Sequence, residues 1–173
     1  MIEIYGIVFT LGLGVLLHFT YEWSGRSLLI SFLAPTNESV FEHLKLLLTP
    51  FLLWSLNEYV HYGQFCKNFI PAKTIGLLAG ILFMVLCFYG YTAVLGKNLL
   101  PVDIALFAGS VLTAFSTAHF LMTVEFLGNF PVRLLSIIAL VLLFAAFAAC
   151  SVCPPQSKLF NSPYPFRKKP GCK

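Results

Sequence analysis

The chain has 173 residues, of which 58% are hydrophobic and only 10% are charged, and its net charge is +4. An ordinary soluble domain carries about 25% charged residues, so this composition leaves too little polar surface to clothe a water-soluble globule. It excludes a soluble enzyme, a nucleic-acid-binding domain and a disordered chain, and it points to an all-α integral membrane bundle of five transmembrane helices. Five apolar runs of about 20 residues each suit helices that cross about 30 Å of hydrocarbon.

The first span is expected at residues 4–23. Only Glu3 precedes it as a charge; there is no basic leader and no small-x-small cleavage site, so it reads as a retained helix and not as a signal peptide. Gly25 and Arg26 break the run, and residues 27–34 are apolar but too short to cross, which fits a re-entrant or interfacial segment. Pro35, Thr36 and Asn37 announce a new helix, and Ser39 with Glu42 fits a capping box. The second span is expected at 38–62, kinked at Pro50 and stopped at Gly63. A polar link with Lys67, Asn68, Pro71 and Lys73 leads to the third span at 74–95. There Gly76-x-x-x-Gly80 permits close helix approach and offers a route to a homo-oligomer. Gly96, Lys97, Asn98 and Pro101 form the next turn; the fourth span is expected at 102–127, and Gly128, Asn129 and Pro131 end it. The fifth covers 132–152, and residues 154–173 form a Pro-rich basic tail.

Arg26, Lys45, Lys97, Lys158, Arg167, Lys168, Lys169 and Lys173 fall on one side of such a bundle, and Lys67, Lys73 and Arg133 on the other. The excess of positive charge places the tail in the cytoplasm and the N-terminus outside a cell membrane crossed several times. The basic tail reads as a topology signal that touches anionic headgroups, so membrane lipids are the expected partners and nucleic acid is not. Cys87 reads as a packing residue. Cys150 and Cys153 form a C-x-x-C that Pro154 and Pro155 follow directly, with no second pair in view, and redox chemistry is not expected of it.

The informative residues are polar groups at lipid depth, where a charge costs on the order of 3 kcal/mol on insertion scales. His18 and Glu22 are four apart and share a helix face. Glu38, Glu42 and Lys45 share another, with His43 about 100° away. With Asn37, Lys97 and Asp103 they could converge near the cytoplasmic face. Imidazoles and carboxylates of this kind ligate zinc, iron or manganese, and they also serve proton relays. Each has a plain structural reading as well: Glu38, Glu42 and Asp103 suit helix N-termini, and Glu42 can pair with Lys45. A second set, Glu58, His61, His119 and Glu125, lies toward the other side. Glu58-x-x-His61 has the spacing used in di-iron bundles, but only one such pair is present, so interhelical hydrogen bonds are the expectation there.

The stretch from His18 to Gly25, followed by Pro35-Thr36-Asn37-Glu38-Ser39-Val40-Phe41-Glu42-His43-Leu44-Lys45, resembles a family of small bacterial membrane proteins known as a domain of unknown function. Pro50, Glu58-Tyr59, Tyr91-Thr92, Gly96-Lys97-Asn98, Asp103 and the tail from Pro154 to Phe160 with Pro163 extend the resemblance over nearly the whole chain. Two features depart from that pattern: Ser162-Pro163 stands where the family has Asp-Pro, and Cys150 and Cys153 are not part of it. The resemblance implies no activity. It implies only which polar residues belong to the motif.

Three functions follow as expectations. The first is a metal-dependent intramembrane enzyme acting on a lipid-like substrate: His18, Glu22, Glu42 and His43 would hold a divalent ion, Glu38 or Asp103 would activate water, and Lys45 or Lys97 would hold an anionic group. The second is a small proton- or ion-coupled transporter working as an oligomer. The third is a structural or regulatory membrane partner, whose polar residues only lock helices together.

Overall fold

The computed structural model describes residues 2–37 and 39–152, and of Glu125 it describes the backbone alone. The tail, Cys153 and Glu38 lie outside the described residues. Every described element is helical: α1 (Ile2–Trp23), α2 (Leu28–Ser31), α3 (Val40–His43), α4 (Lys45–His61), α5 (Phe69–Leu95), α6 (Leu100–Leu121) and α7 (Phe130–Val152), with short 3-10 turns at Gly63–Phe65 and Glu125–Gly128. Four of these, α1, α5, α6 and α7, are long and apolar enough to cross a membrane. The chain is therefore built as a multi-pass membrane protein.

Burial runs opposite to that of a soluble protein. The Lys45 side chain is 0% exposed, while Val94 is 84% and Leu29 75% exposed. In lipid this costs nothing, because hydrocarbon side chains match the tails around them and backbone polar groups are satisfied within each helix. Ion pairs are the groups that must be hidden and partnered.

Helices α5 and α6 form an antiparallel hairpin, α1 lies on α4 and α6, and α7 lies against α5. Small residues set the α5–α6 distance. A Cβ added to Gly76 would sit 2.5 Å from the Ala114 carbonyl oxygen, and one on Gly80 would sit 2.7 Å from that of Ser110. The glycine pair expected to allow close approach is thus filled by α6 of the same chain. The shared core includes Leu47, Phe51, Leu77, Ala114 and Phe115. Phe51 meets Phe115 edge-on at 4.8 Å, and Phe41 stacks on Phe147 at 4.4 Å.

Three ends differ from the sequence expectation. The third helix starts at Phe69 and not at 74, so Pro71 and Lys73, expected in the link, lie inside α5. The stretch 38–62 contains two helices instead of one, α3 and the 17-residue α4. Ser39 caps α3 as the capping box requires, its side chain accepting from the Glu42 backbone N–H. The reciprocal half is missing: the Asn37 side chain takes the Ser39 N–H at 2.8 Å, which frees the Glu42 carboxylate for other partners. The fourth helix stops at Leu121, short of 127, because the Asn68 side chain donates to the carbonyls of Met122 (3.2 Å) and Val124 (2.8 Å) and caps the chain there.

Pro50 sits inside α4, which continues through it. Proline has no N–H to give the carbonyl four residues back, here Leu46. That carbonyl oxygen faces Gly14 of α1, where an added Cβ would come within 2.9 Å of it. Helix α1 thus packs closely on α4 where the backbone ladder is open. Residues 27–34 form α2 and turns that fold back onto this crossing: Thr49 donates to the Leu33 carbonyl at 2.8 Å, and Ala34 is fully buried.

Candidate functional site

The polar residues gather at the two ends of the bundle. At the first end are the C-terminus of α1, the 24–39 link, α3, the start of α4 and the end of α7. Glu42 is the hub. Its Oε2 accepts from the Thr36 N–H (2.8 Å), the Thr36 hydroxyl (3.0 Å) and Lys45 Nζ (2.8 Å). Its Oε1 accepts from Ser151 at 3.3 Å, which ties α7 to the link. Lys45 donates also to the Ser31 carbonyl at 2.7 Å. Glu42 and Lys45 are both buried. A buried pair with several further hydrogen bonds can hold its charges without water, and this one joins α2, α3, α4 and α7.

His43 hangs beside that hub. Its Nδ1 lies 2.9 Å from the Ser39 carbonyl oxygen, and its ring is 5.2 Å from the His18 ring, centroid to centroid. The His18 and His43 rings therefore lie side by side. Glu22 is elsewhere: it pairs with Arg26 at 3.3 Å on the surface, with both side chains more than half exposed. Asp103 accepts from the Tyr91 hydroxyl and closes the α5–α6 hairpin. Lys97 is exposed in the turn of that hairpin, beside Gly96, which adopts the left-handed conformation that caps α5. Among the described residues no group of three or more His, Cys, Asp or Glu side chains is placed to hold a metal ion.

The second end carries an ion cluster that the sequence reading did not assemble. Lys73 lies in the second turn of α5 and is 4% exposed. Its Nζ lies 2.5 Å from Glu58 Oε2 of α4 and 3.2 Å from Glu3 Oε2 of α1. Three rings surround the ammonium, Phe115, Phe69 and Phe51, at 5.1, 5.6 and 5.7 Å from their centroids. Such ring faces attract a desolvated cation by about 2 kcal/mol.

Two carboxylates thus share one ammonium. Glu58 is fully buried, and neither of its oxygens has an aligned hydrogen-bond donor among the described residues. The Tyr62 hydroxyl approaches the same carboxylate without meeting that alignment, and His119 is an electrostatic neighbour of Glu3. Thr10 Oγ1, Trp54 Nε1 and Ser55 Oγ are also buried without a hydrogen-bond partner. Buried polar groups without an aligned partner are costly at this depth.

Of the second set read from sequence, Glu58 alone among the described side chains enters this cluster directly, and the Glu125 side chain lies outside them. His61 is exposed, with its Nδ1 2.8 Å from the Asn57 carbonyl oxygen; His119 is exposed at the end of α6. Lys73 and Glu3 were missed because each stands just outside an apolar run. The signal was available: Glu58 at lipid depth requires a cation, and Lys73 is the charge nearest in sequence to the apolar run that starts at the same end.

From Glu42 to Glu58 is 16 residues of helix, about 24 Å at 1.5 Å per residue. The two charged ends are separated by the apolar layer around Leu47, Phe51 and Leu77.

A family match covers residues 2–164, and that family is described as Family of unknown function (DUF6512). No curated protein and no solved structure matches the chain.

Proposed function

The chain belongs to the Family of unknown function (DUF6512), and from that premise we propose that it is a proton- or cation-coupled transport protein whose exchange site is Glu3, Glu58 and Lys73. The observation that carries this reading is the pair of carboxylates sharing one buried ammonium. The site has one negative charge in excess, and uptake of one proton or small cation neutralises it. Glu3 is the more exposed carboxylate and gives the site its opening to the bundle end; Glu58 lies behind it.

Under this reading α3 and α4 act together as a fifth crossing. Residues 40–61 span 22 positions, about 33 Å of helix, and Lys45 and Glu58 near their ends are neutralised by partners. Because Lys45 and Lys73 are buried in ion pairs, they leave the topology count. Arg26, Lys97 and the five tail cations then face Lys67 and Arg133, which still favours a cytoplasmic C-terminus and an outer N-terminus. The transporter works as an oligomer whose contacts lie on exposed apolar faces, since Gly76 and Gly80 are engaged by α6.

Proton flux tests the proposal. Proteoliposomes with a trapped pH dye are given an inward-driving potassium diffusion potential. The wild type acidifies the lumen faster than protein-free vesicles, and Glu58→Gln abolishes the difference. Wild-type flux equal to that of protein-free vesicles overturns the reading.

A second reading, the metal-dependent enzyme, draws on the meeting of His18 and His43. The Ser39 carbonyl at His43 Nδ1 would fix that ring's tautomer, and His43 and His18 would together contribute to a shell for zinc, iron or manganese. Glu22 and Glu42 would have to leave Arg26 and Lys45 to complete the shell, and Glu38, Asp103 or Lys45 would serve the chemistry. Elemental analysis of the purified protein decides it: absence of a stoichiometric metal ends this reading.

A further inference from the structure

The exchange site already contains a cation of its own. Lys73 Nζ lies 2.5 Å from Glu58 Oε2 and 3.2 Å from Glu3 Oε2, with the Phe115, Phe69 and Phe51 rings around it at 5.1, 5.6 and 5.7 Å. An ammonium suits these surroundings. Its N–H groups donate to carboxylates, and ring faces attract its charge.

A metal cation has different needs. Inside the bundle it must exchange its water shell for several oxygens, which transporters typically supply from unwound helix backbone. Here α4 and α5 run unbroken through Glu58 and Lys73, and the Glu58 carbonyl accepts the Tyr62 N–H at 2.9 Å. Beyond the two carboxylates, the described groups at the ammonium are phenyl rings; the Tyr62 hydroxyl approaches Glu58, and His119 is an electrostatic neighbour of Glu3. A metal cation would also meet the like charge of Lys73 with little water to screen it. A proton needs no coordination shell. It takes one lone pair, and the fully buried Glu58 offers oxygens that no described donor meets in alignment.

We propose that Lys73 is the specificity-determining residue of this site: its resident ammonium fills the cation position and restricts exchange to protons, excluding sodium and other metal cations. The proposal rests on the exchange-site reading and narrows its substrate from proton or cation to proton alone. A neutral side chain at position 73 would open the place. Glu3 and Glu58 would then share two negative charges with no ammonium between them, and such a pair takes up a shared proton or a metal cation.

The test is equilibrium binding of radiosodium to the protein in phosphatidylcholine nanodiscs at alkaline pH, with protein-free discs subtracted. The wild type binds none. Lys73→Gln binds sodium saturably, and adding Glu58→Gln to that variant abolishes the binding. Lys73→Ser takes the place of Lys73→Gln should the latter not fold, and the wild-type measurement stands independently of both. Saturable sodium binding by the wild type overturns the proposal. So does a folded position-73 variant that binds no more sodium than the wild type, or sodium binding that survives Glu58→Gln. Sodium exclusion by the wild type and sodium binding by Lys73→Gln, found without proton flux, sink the exchange-site reading instead, so the two failures are distinguishable.

Discussion

Replacing Glu42 by Gln tests the architecture of the first end. The carboxylate accepts from Lys45, from two groups of Thr36 and from Ser151. Gln keeps the shape but loses the charge, and Lys45, with a side chain 0% exposed, is left as a buried ammonium that keeps the Ser31 carbonyl but loses the Glu42 carboxylate. Breaking a buried pair in this way costs about 3–5 kcal/mol. For a chain of this size 1 kcal/mol corresponds to about 2–4 °C in Tm, so the loss is about 6–20 °C. Thermal unfolding in one detergent, followed by tryptophan fluorescence, measures it. The double variant Glu42→Gln with Lys45→Met removes both charges and recovers most of the loss, because an apolar pair of similar volume is close to neutral. A Glu42→Gln shift below about 2 °C, or a double variant no better than the single one, would refute the picture of a desolvated pair holding α2, α3, α4 and α7 together.

Other consequences follow from the same geometry. Glu22→Gln removes an exposed pair worth under about 1 kcal/mol; Tm and proton flux stay at wild-type values, whereas a ligand role for Glu22 would show as lost metal. Gly76→Val drives side-chain atoms into the Ala114 carbonyl and the Ala118 backbone and destabilises by at least about 1–3 kcal/mol, read as a lowered Tm. Tyr91→Phe and Asp103→Asn each loosen the α5–α6 turn, and a double-mutant cycle on Tm returns a favourable coupling of about 1 kcal/mol or more; independent effects would contradict the contact.

Much of the bundle could be read from hydropathy. The four long helices follow from apolar runs bounded by Gly25, Gly96, Asn129 and the prolines, since each boundary carries its own backbone chemistry. The capping of α3 by Ser39 was also visible, from the spacing of Ser39 and Glu42. What could not be read was the partner of most charges. Helical spacing put His18 and Glu22 on one face, but the left-handed turn at Gly25 and Arg26 brings Arg26 back to Glu22 and draws it out to the surface. Spacing offered Glu42 both as a first-turn acid and as a partner of Lys45, but it did not show that Asn37 takes the capping bond or that Thr36 joins Lys45 on the carboxylate. Lys73 looked like a loop cation because it precedes an apolar run by one residue. Only the packing of α5 against α1 and α4 shows that three phenylalanines and two carboxylates enclose it. Partner choice depends on contacts between helices far apart in sequence, and local periodicity carries no record of them.

The account stands most directly on the protonation of the Glu3–Glu58–Lys73 site. Infrared difference spectroscopy of the protein in lipid, titrated from alkaline to acid pH, reads the carboxylic C=O stretch as a carboxylate takes up a proton. Tyr62 and His119 border the cluster electrostatically but contribute no band there. The account predicts that a buried carboxyl band appears, and that it is lost or displaced in Glu58→Gln while Glu22→Gln leaves it unchanged. A titration in which Glu58→Gln is superimposable on the wild type would contradict it.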